Sequence, residues 1–332
     1  MNSRFITLFI LTLCIFFSAP KIGQAQLIGI SENDVSVGIY PENPQPRDPV
    51  TVTIETYSFN LDSSNTKWYV NGNLAQEGRG LKTLTFQVGN LGQTSNVRIV
   101  ITSDKGTLTK NIAITPSIVT ITWEADTYTP PFFKGKALFS HQSIITFMAQ
   151  PQIVVKGRTL NPANLIYTWS KEGTVLGNQN GYGKQTLTLT GSVISRSMKV
   201  MVEVQDTTSG ATASGVIQVD PIEPEVLMYV VDPLYGVEYN KAIKGTLPLN
   251  GKEVTLTATP YFFSTNGQYG EDNMSYNWSI NGNTISDGQN TRTRVFRKVG
   301  EVFGISNIGL RILQENKLLQ FASYNLAIDF LQ

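Results

Sequence analysis

The chain has 332 residues, 26 Lys+Arg against 25 Asp+Glu, and charged residues at 15% of the total. That length exceeds what one small core serves and fits two or three domains. The near-neutral balance leaves no basic excess for a phosphate backbone or a polybasic membrane patch, so nucleic acid is excluded as a partner. Low charge with abundant Thr, Ser, Asn, Val and Ile favours strands joined by turns.

Residues 1–25 have the pattern of a secretory signal peptide. Arg4 is its positive head. Residues 5–17 form an almost unbroken apolar run, too short for a comfortable bilayer span. Gly23-Gln24-Ala25 places small residues at the −3 and −1 positions of a cut before Gln26. Retention of this segment as an uncleaved anchor is the alternative, since Pro20 and Lys21 also suit the edge of a membrane segment. The only cysteine, Cys14, lies inside the run. Cleavage would therefore leave a chain without cysteine, held together by core burial alone. Loss of Arg4 and Lys21 would leave 24 basic against 25 acidic residues. The expected location is exported: extracellular, cell-surface or periplasmic. Membrane contact is expected only through this segment, if it is not removed.

In the next stretch, residues 35–40 alternate, and Pro41, Pro44, Pro46 and Pro49 then bar a regular central strand. Residues 50–55, Val-Thr-Val-Thr-Ile-Glu, alternate cleanly and read as a half-buried strand. Thr66-Lys67-Trp68-Tyr69-Val70-Asn71-Gly72 follows, a short strand with one Trp and a Gly four residues on. Gly78-Arg79-Gly80 marks a turn, residues 81–86 the next strand, and residues 97–102 and 107–114 a closing hairpin.

The same order returns twice. Residues 144–149 match the alternating strand, Tyr167-Thr168-Trp169-Ser170-Lys171-Glu172-Gly173 the Trp strand, and Gly181-Tyr182-Gly183 the turn. Residues 184–189, 198–204 and 211–219 complete that unit. Residues 254–259, Tyr276-Asn277-Trp278-Ser279-Ile280-Asn281-Gly282, Gly288-Gln289-Asn290, 308–313 and 321–330 form the third. Matched elements at a near-fixed interval indicate duplicated domains. A Trp in mid-strand supplies the central bulk of a small sandwich core, so Trp68, Trp169 and Trp278 are the predicted core residues. Pro-bearing links at Thr115-Pro116 and Asp220-Pro221-Ile222-Glu223-Pro224 divide the chain into residues 27–115, 116–222 and 223–332. Short links with Pro limit domain swing and predict a semi-rigid rod.

Two stretches are the least generic. Residues 123–138 and 229–243 are each expected as a Pro-broken entry strand with clustered aromatics. Trp123, Tyr128, Phe132, Phe133, Tyr235 and Tyr239 are the candidate partner-binding or interdomain residues. They read as packing between domains, because each lies just past a boundary. The alternative is an exposed face for sugar rings or a partner chain.

The strand order and the Trp strand resemble the immunoglobulin-like and PKD-like β-sandwich repeats of exported bacterial proteins. Residues 128–138 and 232–236 resemble segments of uncharacterised secreted proteins from small-genome, candidate-phyla bacteria. The resemblance implies an all-β chain of three tandem Ig-like β-sandwich domains behind a signal segment.

Constellations for chemistry are sparse. The one histidine, His141, has no Gly-x-Ser-x-Gly elbow to work with and reads as a surface or edge residue. Gly181-Tyr182-Gly183-Lys184 lacks the spacing and the following helix of a phosphate loop and reads as a hairpin turn. The pairs Glu271/Asp272 and Glu223/Glu225 are candidates for glycoside hydrolysis by residue type alone. Glu32, Asn33 and Asp34 are oxygen ligands without the calcium-loop pattern. No catalytic residue, metal site or cofactor is predicted. The sequence thus predicts a non-catalytic exported protein, a surface scaffold or adhesion module whose partner is a protein or glycan. A subunit of a pilus or secretion assembly and a carbohydrate-binding module are the alternatives.

Overall fold

The computed structural model describes residues 30–131, 133–265, 273–300 and 303–331; the signal segment, Phe132 and the Glu271/Asp272 pair lie outside them. Three β-sandwiches follow one another along the chain, each around its own apolar core. The protein is an all-β chain of tandem Ig-like sandwiches.

In the first, Ser36–Tyr40, Pro49–Glu55 and Thr83–Gln87 make a three-stranded sheet. It faces a four-stranded sheet in the spatial order Asn73–Arg79, Asn65–Val70, Ser95–Ser103 and Gly106–Ile114. The alternation of Pro49–Glu55 works as strand geometry requires: Val50, Val52 and Ile54 are fully buried, and the intervening threonines turn outward. They meet Trp68, Ile99 and Ile101 from the opposite sheet within one core.

The second sandwich repeats this order. Ile118–Asp126, Ile144–Gln152 and Thr186–Thr190 form one sheet. Thr174–Val175, Ile166–Lys171, Met198–Gln205 and Thr212–Val219 form the other, with Gly181–Tyr182 also pairing with Ile166–Lys171. Trp169 is fully buried between the two sheets. At one edge the sheets close tightly. A Cβ on Gly215 would lie 2.4 Å from the Val119 carbonyl oxygen, so only Gly fits there.

The third sandwich is a variant. One sheet runs Gly236–Val237, Glu225–Asp232, Glu253–Tyr261, Thr293–Arg297. The other runs Thr246–Leu249, Phe321–Phe330, Gly304–Gln314, Met274–Ile280, Asn283–Thr284. Thr246–Leu249 is parallel to Phe321–Phe330, so the entering chain leaves the first sheet and joins the second. Gly245, at φ 74°, marks the crossover, and its carbonyl accepts from Ala327 N at 3.0 Å.

In all three, the strand that follows the Trp strand (Asn73–Arg79, Thr174–Val175, Asn283–Thr284) pairs with it and not with the next one (Thr83–Gln87, Thr186–Thr190, Thr293–Arg297). The antibody constant arrangement does the reverse. Asn73–Arg79 escapes a reading by alternation because almost every residue in it is exposed. Residues 123–138 depart from the expected Pro-broken strand: Ile118–Asp126 is regular, and Pro130 and Pro131 fall after it.

Candidate functional site

The candidate aromatic residues do not gather into one face. They divide between a domain junction, a core edge and a solvent-exposed turn.

The junction joins the second and third sandwiches through backbone. Just past Ile118–Asp126, Tyr128 N donates to Phe263 O and Phe262 N to Tyr128 O, both at 2.7 Å. Thr265 N donates to Asp126 O at 3.3 Å. Thr127 and Ser264 form an antiparallel bridge. The first strand of one domain thus continues into a short ladder with the segment after Glu253–Tyr261 of the next. The Phe133 ring then meets Tyr261 and Phe262 edge-on, at centroid distances of 5.7 and 5.9 Å. Behind them the Tyr229 and Tyr261 hydroxyls share a hydrogen bond of 2.8 Å. Burial, and then the Tyr229 hydroxyl, push the Tyr261 phenol well above its ordinary range. Tyr239 packs edge-on against Tyr229 at 5.3 Å.

A polar lock lies beside the ladder, built on residues that sequence reasoning missed. Gln320 is fully buried. Its amide donates to Ser140 Oγ at 2.9 Å and to the His141 carbonyl, while its oxygen accepts from Ser264 N at 3.0 Å. Gln314, also buried, donates to Ser264 O at 3.1 Å. Gln142 returns the contact: its carbonyl accepts from Lys317 Nζ at 3.2 Å and its side chain from Leu319 N at 3.3 Å. One signal was present in the sequence. Gln314 and Gln320 fall in the inward register of their neighbours Ile312 and Ala322, where an amide needs partners.

His141 belongs to this junction, not to an open surface, with its side chain 12% exposed. Nδ1 accepts from Ser195 N at 3.1 Å, so in the neutral ring Nε2 carries the proton, and it points to the Glu223 carboxylate at 3.0 Å. The imidazole thus faces an acid on one side and a backbone amide on the other. The Ser195 hydroxyl donates to Ser192 O at 3.1 Å and not to the ring. His141 serves to tie the inter-domain link to the second sandwich.

Trp123 packs half-buried against the second core, with Lys136 Nζ 3.2 Å from the ring centroid. Burial lowers the Lys136 pKa, with Glu124 opposing. The ammonium covers one face of the indole. Tyr235 is 82% exposed, on the turn after Glu225–Asp232, where Asp232 Oδ1 accepts from Leu234 N and Tyr235 N. Trp68, Trp169 and Trp278 each lie buried in a separate core.

The junction of the first two sandwiches is smaller. Ser117 N donates to Pro44 O and Gly92 N to Pro116 O, while Ser117 Oγ donates to Thr212 O within the second sandwich. Thr212 Oγ1 meets Asn43 Oδ1 at 2.6 Å. A Cβ on Gly92 would lie 2.7 Å from Val154 Cβ, so that loop is packed directly on the second domain. A cavity of about 400 Å³ remains beside it.

Around Glu32 and Asp34 the carboxylate of Asp34 is engaged by Ser31 N and Ser58 Oγ, and the Ser31 amide foremost lowers its pKa. Among the described residues no group of three or more His, Cys, Asp or Glu is placed to hold a metal ion, and no helix is long and apolar enough to cross a membrane.

No protein-family model matches the sequence, and no curated protein matches it. Similar solved structures are tandem sandwiches. The three N-terminal domains of the Hoc outer capsid protein of bacteriophage RB49 cover 90% of this chain and 99% of their own, at 12% identity and TM-score 0.27. Fibronectin(III)-like modules of Clostridium thermocellum CbhA cover 56% of this chain and 94% of theirs, at 12% identity and TM-score 0.27. Extracellular domains 3–5 of Drosophila OTK cover 90% of this chain and 98% of theirs, at 9% identity and TM-score 0.22. The fold assignment rests on the sheets of this chain itself.

Proposed function

We propose that this chain is a non-catalytic exported scaffold: a semi-rigid rod of three domains, residues 27–115, 116–222 and 223–332, behind a signal peptide of residues 1–25. It acts as a spacer or adhesion module for a protein or glycan at the cell surface. The observation that carries this reading is the inter-domain ladder of Tyr128 with Phe262 and Phe263. Hydrogen bonds of this kind fix one domain's direction relative to the next, as a spacer needs and a flexible tether does not. The buried amide of Gln320 reinforces it, because breaking the joint would strip Ser140 Oγ and the His141 carbonyl from it and strand polar groups.

Surface labelling and protease shaving of intact cells test the address, and small-angle scattering of the purified chain tests the rod. Surface exposure with a single elongated conformation is expected. Retention in the cytoplasm overturns the reading. So does a hydrolase or transferase activity abolished by substitution of one acidic pair such as Glu271/Asp272.

A further inference from the structure

The end of the third sandwich opposite the ladder carries two unexplained features. Strand register places them together. Glu225 pairs with Tyr261 at the junction end, so Asp232 lies at the far end; Glu253 pairs with Arg297, so residues 297–299 lie there too.

The first feature is an apolar groove of about 470 Å³ lined by Ile280, Val295, Val299, Phe303, Ile305 and Phe330. Val299 is 81% and Ile305 63% exposed. Its cationic rim is unevenly compensated. Arg294 is paired with Asp287 and Arg297 with Glu253. Lys298, on the rim, and Lys252, whose carbonyl accepts from Lys298 N at 2.8 Å, have no ion-pair partner among the described residues; Lys298 Nζ sits 3.7 Å from the Phe303 ring centroid, and Asp329, opposite Ile305, is the acid beside the groove. The second feature is the turn carrying Leu234 and Tyr235, 79% and 82% exposed. Asp232 and Glu238 flank it, with Lys241 as the nearest cation in sequence. The turn is thus an apolar tip with acidic shoulders, and the groove an apolar trough with basic ones.

We propose that the two features fit each other between two copies of this chain, joining third domains end to end. The sheet order puts the turn at one edge and the groove at the other, three strand spacings or about 14 Å apart. A two-fold axis through that end, perpendicular to the rod, brings each tip over the partner's groove. Both contacts are made twice and the assembly closes as a dimer. Leu234 and Tyr235 enter the apolar trough, while Asp232 and Glu238 approach Lys252 and Lys298. The small end-on contact makes a weak, concentration-dependent dimer.

Sedimentation equilibrium of the purified chain, from micromolar to sub-millimolar, tests this, with the double variant L234A/Y235A, the single variant K298E and the double variant K298E/E238K. Leu234 and Tyr235 are exposed and Glu238 and Lys298 half-buried, so a thermal midpoint matching the unsubstituted chain certifies the fold of each variant. L234A/Y235A and K298E should each weaken the dimer by about tenfold or more, and the charge exchange should recover most of the loss. A monomer throughout overturns the proposal, as does a dimer indifferent to L234A/Y235A or an exchange that recovers nothing.

Discussion

Asn71 and Asn96 hold each other by two hydrogen bonds: Asn71 N donates to Asn96 O at 2.8 Å, and Asn96 N donates to the Asn71 side-chain oxygen at 2.9 Å. Asn281 and Asn307 repeat the pair at 2.7 and 2.8 Å. Glu172 and Lys199 repeat it at 3.0 and 2.5 Å, with a carboxylate doing the work of the amide. Each first residue lies near φ 50° and precedes a Gly at φ 78–87°, the two left-handed positions of a tight hairpin turn. The turn after the Trp strand thus clamps the start of the penultimate strand in all three domains.

Removing the clamp has two separable effects. Asn71→Ala loses the acceptor and places a Cβ residue without local hydrogen bonding in the left-handed region, for a cost of about 1–2 kcal/mol. Asn71→Gly loses only the acceptor and should cost less. Glu172→Gln should behave as wild type, because an amide oxygen serves in the other two copies. Hydrogen exchange at the Asn96 and Lys199 amides reads each outcome domain by domain.

The three indoles are equally buried but not equally satisfied. Trp169 Nε1 donates to Lys184 O at 2.9 Å, just before Thr186–Thr190, and Trp278 Nε1 to Thr291 O at 2.8 Å, just before Thr293–Arg297. Trp68 Nε1 is buried without a partner among the described residues. Trp→Phe therefore strands a carbonyl in the second and third domains and removes an unsatisfied donor in the first. Trp68→Phe should cost less than Trp169→Phe or Trp278→Phe by about 1 kcal/mol or more, measured by scanning calorimetry.

The repeat was legible because its signals are local. Val50-Thr-Val-Thr-Ile alternates, and Asn71-Gly72 and Asn281-Gly282 announce tight turns. Asn73–Arg79 and Thr246–Leu249 were not legible. The first has no inward face to pattern, and the second is fixed by a parallel partner some eighty residues away. The junction was legible only as a place. That aromatics follow each boundary is written in the sequence. That Phe133 meets Tyr261 and Phe262, while Tyr235 is left in solvent, depends on how two domains approach. The lock on Gln320 was hidden because an inward Gln shows that partners are needed, not which ones.

Asp287 makes the third domain acid-sensitive. Its two oxygens face Arg294 Nη1 and Nη2 at 2.5 and 3.1 Å, and this guanidinium, foremost, holds the carboxyl at about 2, against 3.8 unperturbed. A depressed folded pKa means that the unfolded chain takes up the proton first as pH falls. The stabilisation is therefore complete above pH 3.8, declines below it and is gone once pH passes about 2. Asp287→Asn should lower the neutral-pH midpoint of the third domain and flatten its decline between pH 4 and 2. Thermal melts across that window, with and without the substitution, give the comparison.

Gln320 decides whether the second and third domains unfold as one unit. Its side chain satisfies Ser264 N from within its own domain and Ser140 Oγ and the His141 carbonyl across the boundary. Gln320→Leu keeps the bulk and removes every one of these partners. Each buried group left unpaired costs about 1–3 kcal/mol, more than an exposed contact returns. The Tyr128 ladder would then be the main tie between the two domains. The two domains should melt together in the wild-type chain and separately in the variant, the third first because it also holds the stranded Ser264 amide. Ser140→Ala removes one cross-boundary partner and should give a partial separation. If Gln320→Leu lowers both domains equally and leaves them coupled, the ladder and the Gln142 bonds to Lys317 and Leu319 carry the joint.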